Sequence, residues 1–194
     1  MDYRQVLHCY HPQTKAEEKL KNYMQAQVAL YGDLWLERDC PHGHLTVGAL
    51  VVNSDYTQVL FMHHKLRNTW SWTGGHMDGM QDPLQVAIKE AQEETGLTDL
   101  QVLTPLPLAI DCFQVPTHER RGVTVEAHIH SVFAYVFVAD PQASLIINTM
   151  ESNDVAWLSV EDIHLGNFSQ EDIYLYKNLL QRLRKLKPVE DSAL

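Results

Sequence analysis

The sequence predicts a single domain of the α/β class, on three observations. Two apolar segments, residues 44–52 (HLTVGALVV) and 56–62 (YTQVLFM), flank Asn53-Ser54-Asp55 and read as a β-hairpin. Residues 124–138 read as a further, long strand. Between and around these strands lie segments with helix start and stop signals, at Thr14–Tyr31, from Asp82 to Gly96, and at Ser169–Lys187. The chain has 194 residues and is 45% hydrophobic, enough for one domain with a sizeable core.

Taken in order, Thr14 and Glu17 form a capping box and Gly32 stops the first helix. This helix precedes the strands and is expected to pack on them as an accessory. The hairpin follows. Asp82 is an N-cap, Pro83 suits the first helical position, and Leu84, Ala87, Ile88 and Ala91 make the apolar stripe that docks the second helix. Residues 100–113 are apolar but interrupted by Pro105 and Pro107, so they make at most broken or edge strands. Residues 115–123 (VPTHERRGV) read as a polar loop. After the long strand come a short one at Asp154–Leu158, the last helix, and a frayed tail at Val189–Leu194. There are no internal repeats and no low-complexity tracts.

The chemistry concentrates in residues 74–97, GGHMDGMQDPLQVAIKEAQEETGL. Glu90, Glu93 and Glu94 stand three and four apart, which places all three on one helical face. Crowded carboxylates repel unless something positive sits among them. A hard divalent cation meets that need, because Mg²⁺ takes carboxylate oxygens and shares its shell with substrate phosphates. Gly74 and Gly75 allow backbone to approach a ligand closely. A helix with a merely solvated acidic face is the competing reading of the glutamates alone. The glycine loop, the cap and the spacing together favour a metal–diphosphate site.

This segment resembles the motif of the Nudix hydrolases, G-x5-E-x7-R-E-U-x-E-E-x-G-U, where U is a bulky aliphatic. Gly75 takes the first glycine, Glu90 the central glutamate, Glu93-Glu94 the acidic pair and Gly96-Leu97 the close. The motif covers 23 residues, and the likeness extends from about His44 to Trp157. Gln81 stands in place of glutamate and Lys89 in place of arginine, while Ala91 is small for the aliphatic position. Gln81 removes one anionic contribution. Lys89 keeps the charge but loses the planar fork.

The resemblance implies a three-layer α/β/α sandwich with a mixed sheet, spanning residues 1–194 as one unit. Residues 1–40 would be the accessory segment, 41–165 the core and 166–188 the C-terminal helix. It implies a Mg²⁺- or Mn²⁺-dependent pyrophosphohydrolase that cleaves a diphosphate bond in a nucleoside diphosphate linked to another moiety. Glu93 and Glu94 would bind the metal directly. Glu90 would be a further ligand or the base acting on water. The carbonyl of Gly74 or Gly75 would complete the shell, and Lys89 would hold the glutamates. The departures at Gln81 and Lys89 favour a competing class, a catalytically weak or inactive module that senses a nucleotide. The isoprenoid-diphosphate isomerase branch of the fold is disfavoured, because Trp70-Ser71-Trp72-Thr73 holds no cysteine.

Glu126, His128 and His130 form a second constellation. On one continuous strand they alternate onto one face, where they would line a substrate pocket, contact phosphate or hold a second metal. Some Nudix-like sequences carry a similar His-x-His here. His76 follows the glycine pair and joins the same expected lining. Trp70 and Trp72 read as core residues, or one of them as a stacking surface. Glu151 is an acidic candidate read as a solvated loop residue, and Arg120 and Arg121 read likewise against a phosphate clamp.

A net charge of −10 argues against binding to a nucleic-acid polymer, whereas a small phosphorylated substrate stays accessible through a bound cation. No signal peptide and no membrane span are expected. Cys9, Cys40 and Cys112 have no framework spacing and suit a reducing cytoplasm. His8-Cys9-Tyr10-His11 and Cys40-Pro41-His42-Gly43-His44 lack any recognised zinc spacing. A homodimer is compatible with this reading.

Overall fold

The computed structural model describes residues 1–186 except Leu66, Arg121 and Leu165. Lys187 and the expected tail at Val189–Leu194 lie outside the described residues. The chain begins with α1 (Tyr3–Cys9), α2 (Lys15–Tyr31) and a 3-10 turn at Gly32–Leu36. α1 has no counterpart in the sequence reading, being too short to show a period. It is held by a capping box, with Asp2 accepting from the Gln5 N–H at 2.8 Å and Gln5 accepting from the Asp2 N–H at 3.3 Å, and by burial of Tyr3, Val6 and Leu7. Thr14 caps α2 by accepting from the Glu17 N–H at 3.2 Å. The expected reciprocal bond falls one residue earlier, because the Glu17 carboxylate accepts from the Gln13 N–H at 2.7 Å. Its other oxygen meets Arg182 at 2.7 Å in a buried ion pair that ties α2 to the last helix.

The strands are β1 (Gly43–Val52), β2 (Gln58–His64), β3 (Thr69–Ser71), β4 (Thr73–His76), β5 (Gln101–Val102), β6 (Ala109–Val115), β7 (His118–Arg120), β8 (Val123–Val125), β9 (His128–Val138) and β10 (Ser152–Ser159). Helix α3 (Pro83–Thr95) follows β4, and α4 (Gln170–Leu186) follows β10. The β1–β2 turn is closed by the Asn53 side chain, which accepts from the N–H groups of Thr57 and Gln58, each at 2.9 Å. Eight strands form one mixed sheet in the order β10-β2-β1-β9-β5, with β3 on β2, β4 on β1 and β6 on β9. β1 and β9 pair in parallel along their whole length; the other described pairs are antiparallel. Pro105 and Pro107 fall between β5 and β6, both of which pair with β9.

The expected long strand over 124–138 is two strands. Residues 115–123 are not an unstructured loop either, since β7 and β8 pair as a separate hairpin around Gly122, whose φ is +77°. Glu126 and Ala127 lie in the break before β9, where the Ala127 N–H donates to the Thr117 hydroxyl at 3.2 Å instead of joining the sheet.

Period-two alternation sorts the core into two layers. Leu45, Val47, Ala49 and Val51 of β1, with Phe133, Tyr135 and Phe137 of β9, face α1, α2 and α3. Leu50, Val52, Ala134 and Val136 face α4, against Tyr176, Leu179 and Leu183. The expected three-layer α/β/α arrangement is therefore present, with the mixed sheet in the middle.

Candidate functional site

α3 starts at Asp82, whose carboxylate accepts from the Leu84 and Gln85 N–H groups at 3.1 and 3.4 Å, and ends at Gly96 with φ +76°. Its stripe buries Val86, Ala87 and Ala91 against the sheet beside β4. The three glutamates leave this helix at three depths. Glu94 is buried, with 3% of its surface exposed, and accepts from the Gly74 N–H at 2.9 Å. Glu90 is half-buried and lies so close to Gly75 that a Cβ there would come within 2.4 Å of its carboxyl carbon. Glu93 is exposed and pairs with Lys89 at 3.3 Å, while Lys89 also stands 3.6 Å from Glu90. The glycine pair is thus required sterically, since a Cβ on Gly74 would meet the Val47 carbonyl oxygen at 2.3 Å.

Burial pushes the Glu94 carboxyl up to about 8 against the opposing pull of the Gly74 N–H, with Glu90, Glu151 and Glu93 adding to the rise. Burial likewise raises Glu90, against Lys89, with Glu93 and Glu151 pushing the same way. Glu151 lies within electrostatic reach of the cluster while exposed in a turn, as the sequence placed it. Both are features of carboxylates short of positive charge.

A second polar group occupies the other face of the same strand. Gly75 is opposite Val47 and faces α3; His76, one residue on, is opposite Thr46 and shares the α4 side of the sheet with His44 and His130, which are register partners across β1 and β9. Ring centroids lie 5.0 Å apart for His44–His76, 4.7 Å for His44–His130 and 5.0 Å for His76–His130. His128 joins with its Nε2 at 3.1 Å from the His130 Nε2. Burial drives the pKa of His44 down to about 4 and of His130 to about 2, with neighbouring imidazoles and Arg38 pushing the same way, so both are neutral near pH 7.

Glu126 does not share this face. It sits exposed in the break before β9, and its backbone carbonyl, not its carboxylate, bonds the His128 Nδ1 at 2.8 Å. The alternation that grouped it with His128 and His130 needs an unbroken strand. Trp72 belongs to the core, for its ring fills the space above Gly48, its backbone N–H donates to the Tyr176 hydroxyl at 3.0 Å, and its ring packs on Tyr176 at 5.6 Å. Trp70 packs edge-on against His63 at 5.3 Å. Arg121 and the side chain of Arg120 lie outside the described residues. Two surface clefts, of about 270 and 300 Å³, are lined by residues such as Asp99, Gln101, Asp140 and Ile146 and contain none of the candidate groups.

Sequence reasoning missed two contributors. His44 was read only as part of a strand and of an unrecognised Cys/His segment; its role depends on the β1–β9 register. Arg38 holds Asp78 of the glycine loop through two bonds, at 2.5 and 2.7 Å, and acts electrostatically on Glu90 as well as on His44 and His130. Its charge is felt by both polar groups, and no local pattern marks it.

A family model described as the NUDIX domain matches residues 42–179. The chain belongs to the Nudix family. No curated protein sequence matches it. A Nudix hydrolase from Clostridium perfringens has a similar fold, with TM-score 0.55 and 21% identity over 72% of this chain and 97% of that one. So has an Ap4A hydrolase from C. elegans, with TM-score 0.52 and 18% identity over 73% and 95%. An E. coli dihydroneopterin triphosphate pyrophosphohydrolase gives TM-score 0.51 and 15% identity over 71% and 92%. At these identities the likeness is one of fold.

The departures from the Nudix motif have structural content. Gln81 is exposed, its backbone carbonyl accepts from the Tyr3 N–H at 2.9 Å, and its side chain is close enough to Asp33 to lower the Asp33 pKa. The position that carries glutamate in the motif is here engaged with the accessory segment. Lys89 bridges Glu90 and Glu93 as single contacts, without a bidentate grip. Ala91 is fully buried in the core.

Proposed function

We propose that this Nudix protein is a metal-dependent pyrophosphohydrolase that cleaves a diphosphate bond in a nucleoside diphosphate linked to another moiety. The observation that carries the reading is the buried Glu94 carboxylate, raised to about 8 and flanked by Glu90 and Glu93 beside a glycine strand. Carboxylates left so short of positive charge suit a hard cation. Their oxygens are spread from buried to exposed, which fits Mg²⁺ or Mn²⁺ held by a few carboxylates with water and substrate phosphate in the rest of the shell.

Glu94 and Glu93 are the ligands in this reading, with the Gly75 carbonyl beside them. Glu90, half-buried and raised toward neutrality, orients the attacking water and accepts its proton. Lys89 fixes Glu90 and Glu93 relative to one another. When bound, the cation supplies neutralisation of charge on the phosphate oxygens. Arg38 adds positive potential at the mouth. His76, His128 and His130, expected as substrate lining, lie on the other face of the sheet from the carboxylates and stay outside this site, and Glu126 drops out with them. The names of the similar folds, an Ap4A hydrolase and a dihydroneopterin triphosphate pyrophosphohydrolase, are in keeping with a small phosphorylated substrate.

The test is turnover of a panel of nucleoside diphosphate derivatives with Mg²⁺ or Mn²⁺, followed by release of phosphate or nucleoside monophosphate. Turnover that disappears in Glu94→Gln and without metal supports the reading. Saturable binding of a nucleotide without turnover assigns the chain instead to the sensing class, which the departures from the motif at Gln81 and Lys89 favour.

A further inference from the structure

The histidine face has a geometry that the hydrolase reading does not use. Three strands that are distant in sequence, β1, β4 and β9, deliver His44, His76 and His130 to one point, with one ligand atom from each within 4.8 Å of the others. Tetrahedral zinc–imidazole bonds of about 2.0–2.1 Å put ligand nitrogens roughly 3.4 Å apart, so the rings need to close by little more than about 1 Å. His44 provides an independent observation. Its exposure is 3%, and neither of its ring nitrogens has a hydrogen-bond partner among the described residues. A neutral imidazole has one donor and one acceptor, and leaving both buried and unpaired costs stability. A fold that retains such a residue in contact with three other imidazoles has a use for its lone pair.

We propose that His44, His76 and His130 form a transition-metal site of the Zn²⁺ class, separate from the carboxylate site on the other face of β4. The donors select the metal. Imidazole nitrogens suit borderline ions such as Zn²⁺, whereas Mg²⁺ takes oxygen. The burial of His44 favours its neutral form, as a ligand must be. Three protein ligands leave a fourth position, and His128, whose Nε2 lies 3.1 Å from the His130 Nε2, stands next to it. The second nitrogen of His128 is already oriented by the Glu126 carbonyl at 2.8 Å, the kind of outer bond that fixes a ligand's tautomer. Arg38, the cation acting on His44 and His130, is matched by its two bonds to Asp78, so its charge does not exclude a second cation.

This site stands independently of the hydrolase reading. The test uses the full chain, stripped with a chelator and titrated with Zn²⁺, Co²⁺ and Mg²⁺ in the absence of any substrate. Wild type is expected to retain a single equivalent of Zn²⁺ after gel filtration and to give the visible absorption of tetrahedral Co²⁺. His44→Gln and His130→Gln should weaken Zn²⁺ at least about 100-fold. The less buried His76→Ala is included in case the other two variants misfold, with far-UV circular dichroism on each. Glu93→Gln and Glu94→Gln should retain the Zn²⁺ while losing Mg²⁺-dependent turnover. No stoichiometric Zn²⁺ on the wild type, or Zn²⁺ that survives folded His76→Ala, or Zn²⁺ lost with Glu93→Gln, overturns the proposal.

Discussion

Gly75 and His76 are consecutive residues of β4, yet they serve opposite faces of the sheet and opposite kinds of donor. On the Gly75 side the donors are oxygens, with every carboxylate from one helix, graded from buried Glu94 to exposed Glu93. On the His76 side they are nitrogens, drawn from three strands and packed ring to ring. The first group accommodates its charge through Lys89, the Gly74 N–H and water. In the second, burial holds His44 and His130 neutral near pH 7. Local helical geometry can build a carboxylate cluster on its own, whereas a compact imidazole cluster needs the register of a sheet.

The largest effect that would break this contrast is expected at Glu94. Glu94→Gln should lower metal-dependent turnover by at least about 100-fold, in the range found when a group that stabilises transition-state charge is removed. Stability without metal should hold or rise, because the amide is neutral at every pH whereas Glu94 must take up a proton to be buried uncharged. Thermal unfolding with chelator and steady-state kinetics on one preparation check both. Wild-type turnover at limiting Mg²⁺ would remove the chemistry from this face.

Gly75→Ala comes next. Its Cβ would sit 2.4 Å from the Glu90 carboxyl carbon, so the glutamate or the strand must shift. A stability loss of about 1–3 kcal/mol is expected, as for overpacking, together with a fall in kcat. Denaturant midpoints and kinetics that both match wild type would mean that Glu90 moves away freely and has no fixed task.

Titration of the metal-free protein separates the two faces. Glu94 at about 8 keeps a proton that the unfolded chain, near 4.5, has released, so its contribution increases stability as pH falls from 8. His44 at about 4 and His130 at about 2 act oppositely, because the unfolded imidazoles take up protons near 6.5 and stability is lost below that point. Maximal stability is expected near 6.5. In Glu94→Gln the rise between 8 and 6.5 should vanish while the acid loss remains. Chemical denaturation across that pH window reads both limbs, and an unaltered upper limb in the variant would contradict the buried carboxylate.

Smaller effects are expected at the two departures from the Nudix motif. Lys89 is half-exposed, so Lys89→Ala should cost at most about 1 kcal/mol of stability, while turnover falls several-fold and Lys89→Arg restores or exceeds it. Loss of activity in Lys89→Arg as well would show that the position does not position Glu90. Gln81→Glu should matter least. Its side chain is turned to Asp33, so a new carboxylate meets another carboxylate before it reaches the metal side. Apparent Mg²⁺ affinity should change by under about tenfold, and a larger gain in a metal titration would place Gln81 closer to the cluster than its bonds suggest.

The sequence by itself determined the α3 segment almost completely. Its cap at Asp82, its stop at Gly96, its glutamate spacing and its glycines are local signals, because helix geometry depends on neighbours three and four residues away. The hairpin of β1 and β2, and the prolines that split β5 from β6, were legible for the same reason. Burial was not. The sequence placed three equivalent carboxylates on one face, and only packing against β4 made Glu94 buried and Glu93 exposed. Nor was the end of β9 legible, since residues 124–138 alternate well and the break at Glu126 comes from the β7–β8 hairpin and its contact with Thr117. The histidine cluster and Arg38 lay furthest from the sequence. Residues 44, 76 and 130 meet only because β1 pairs in parallel with β9 and antiparallel with β4, and strand pairing is decided by the tertiary structure, not by the period of any one strand.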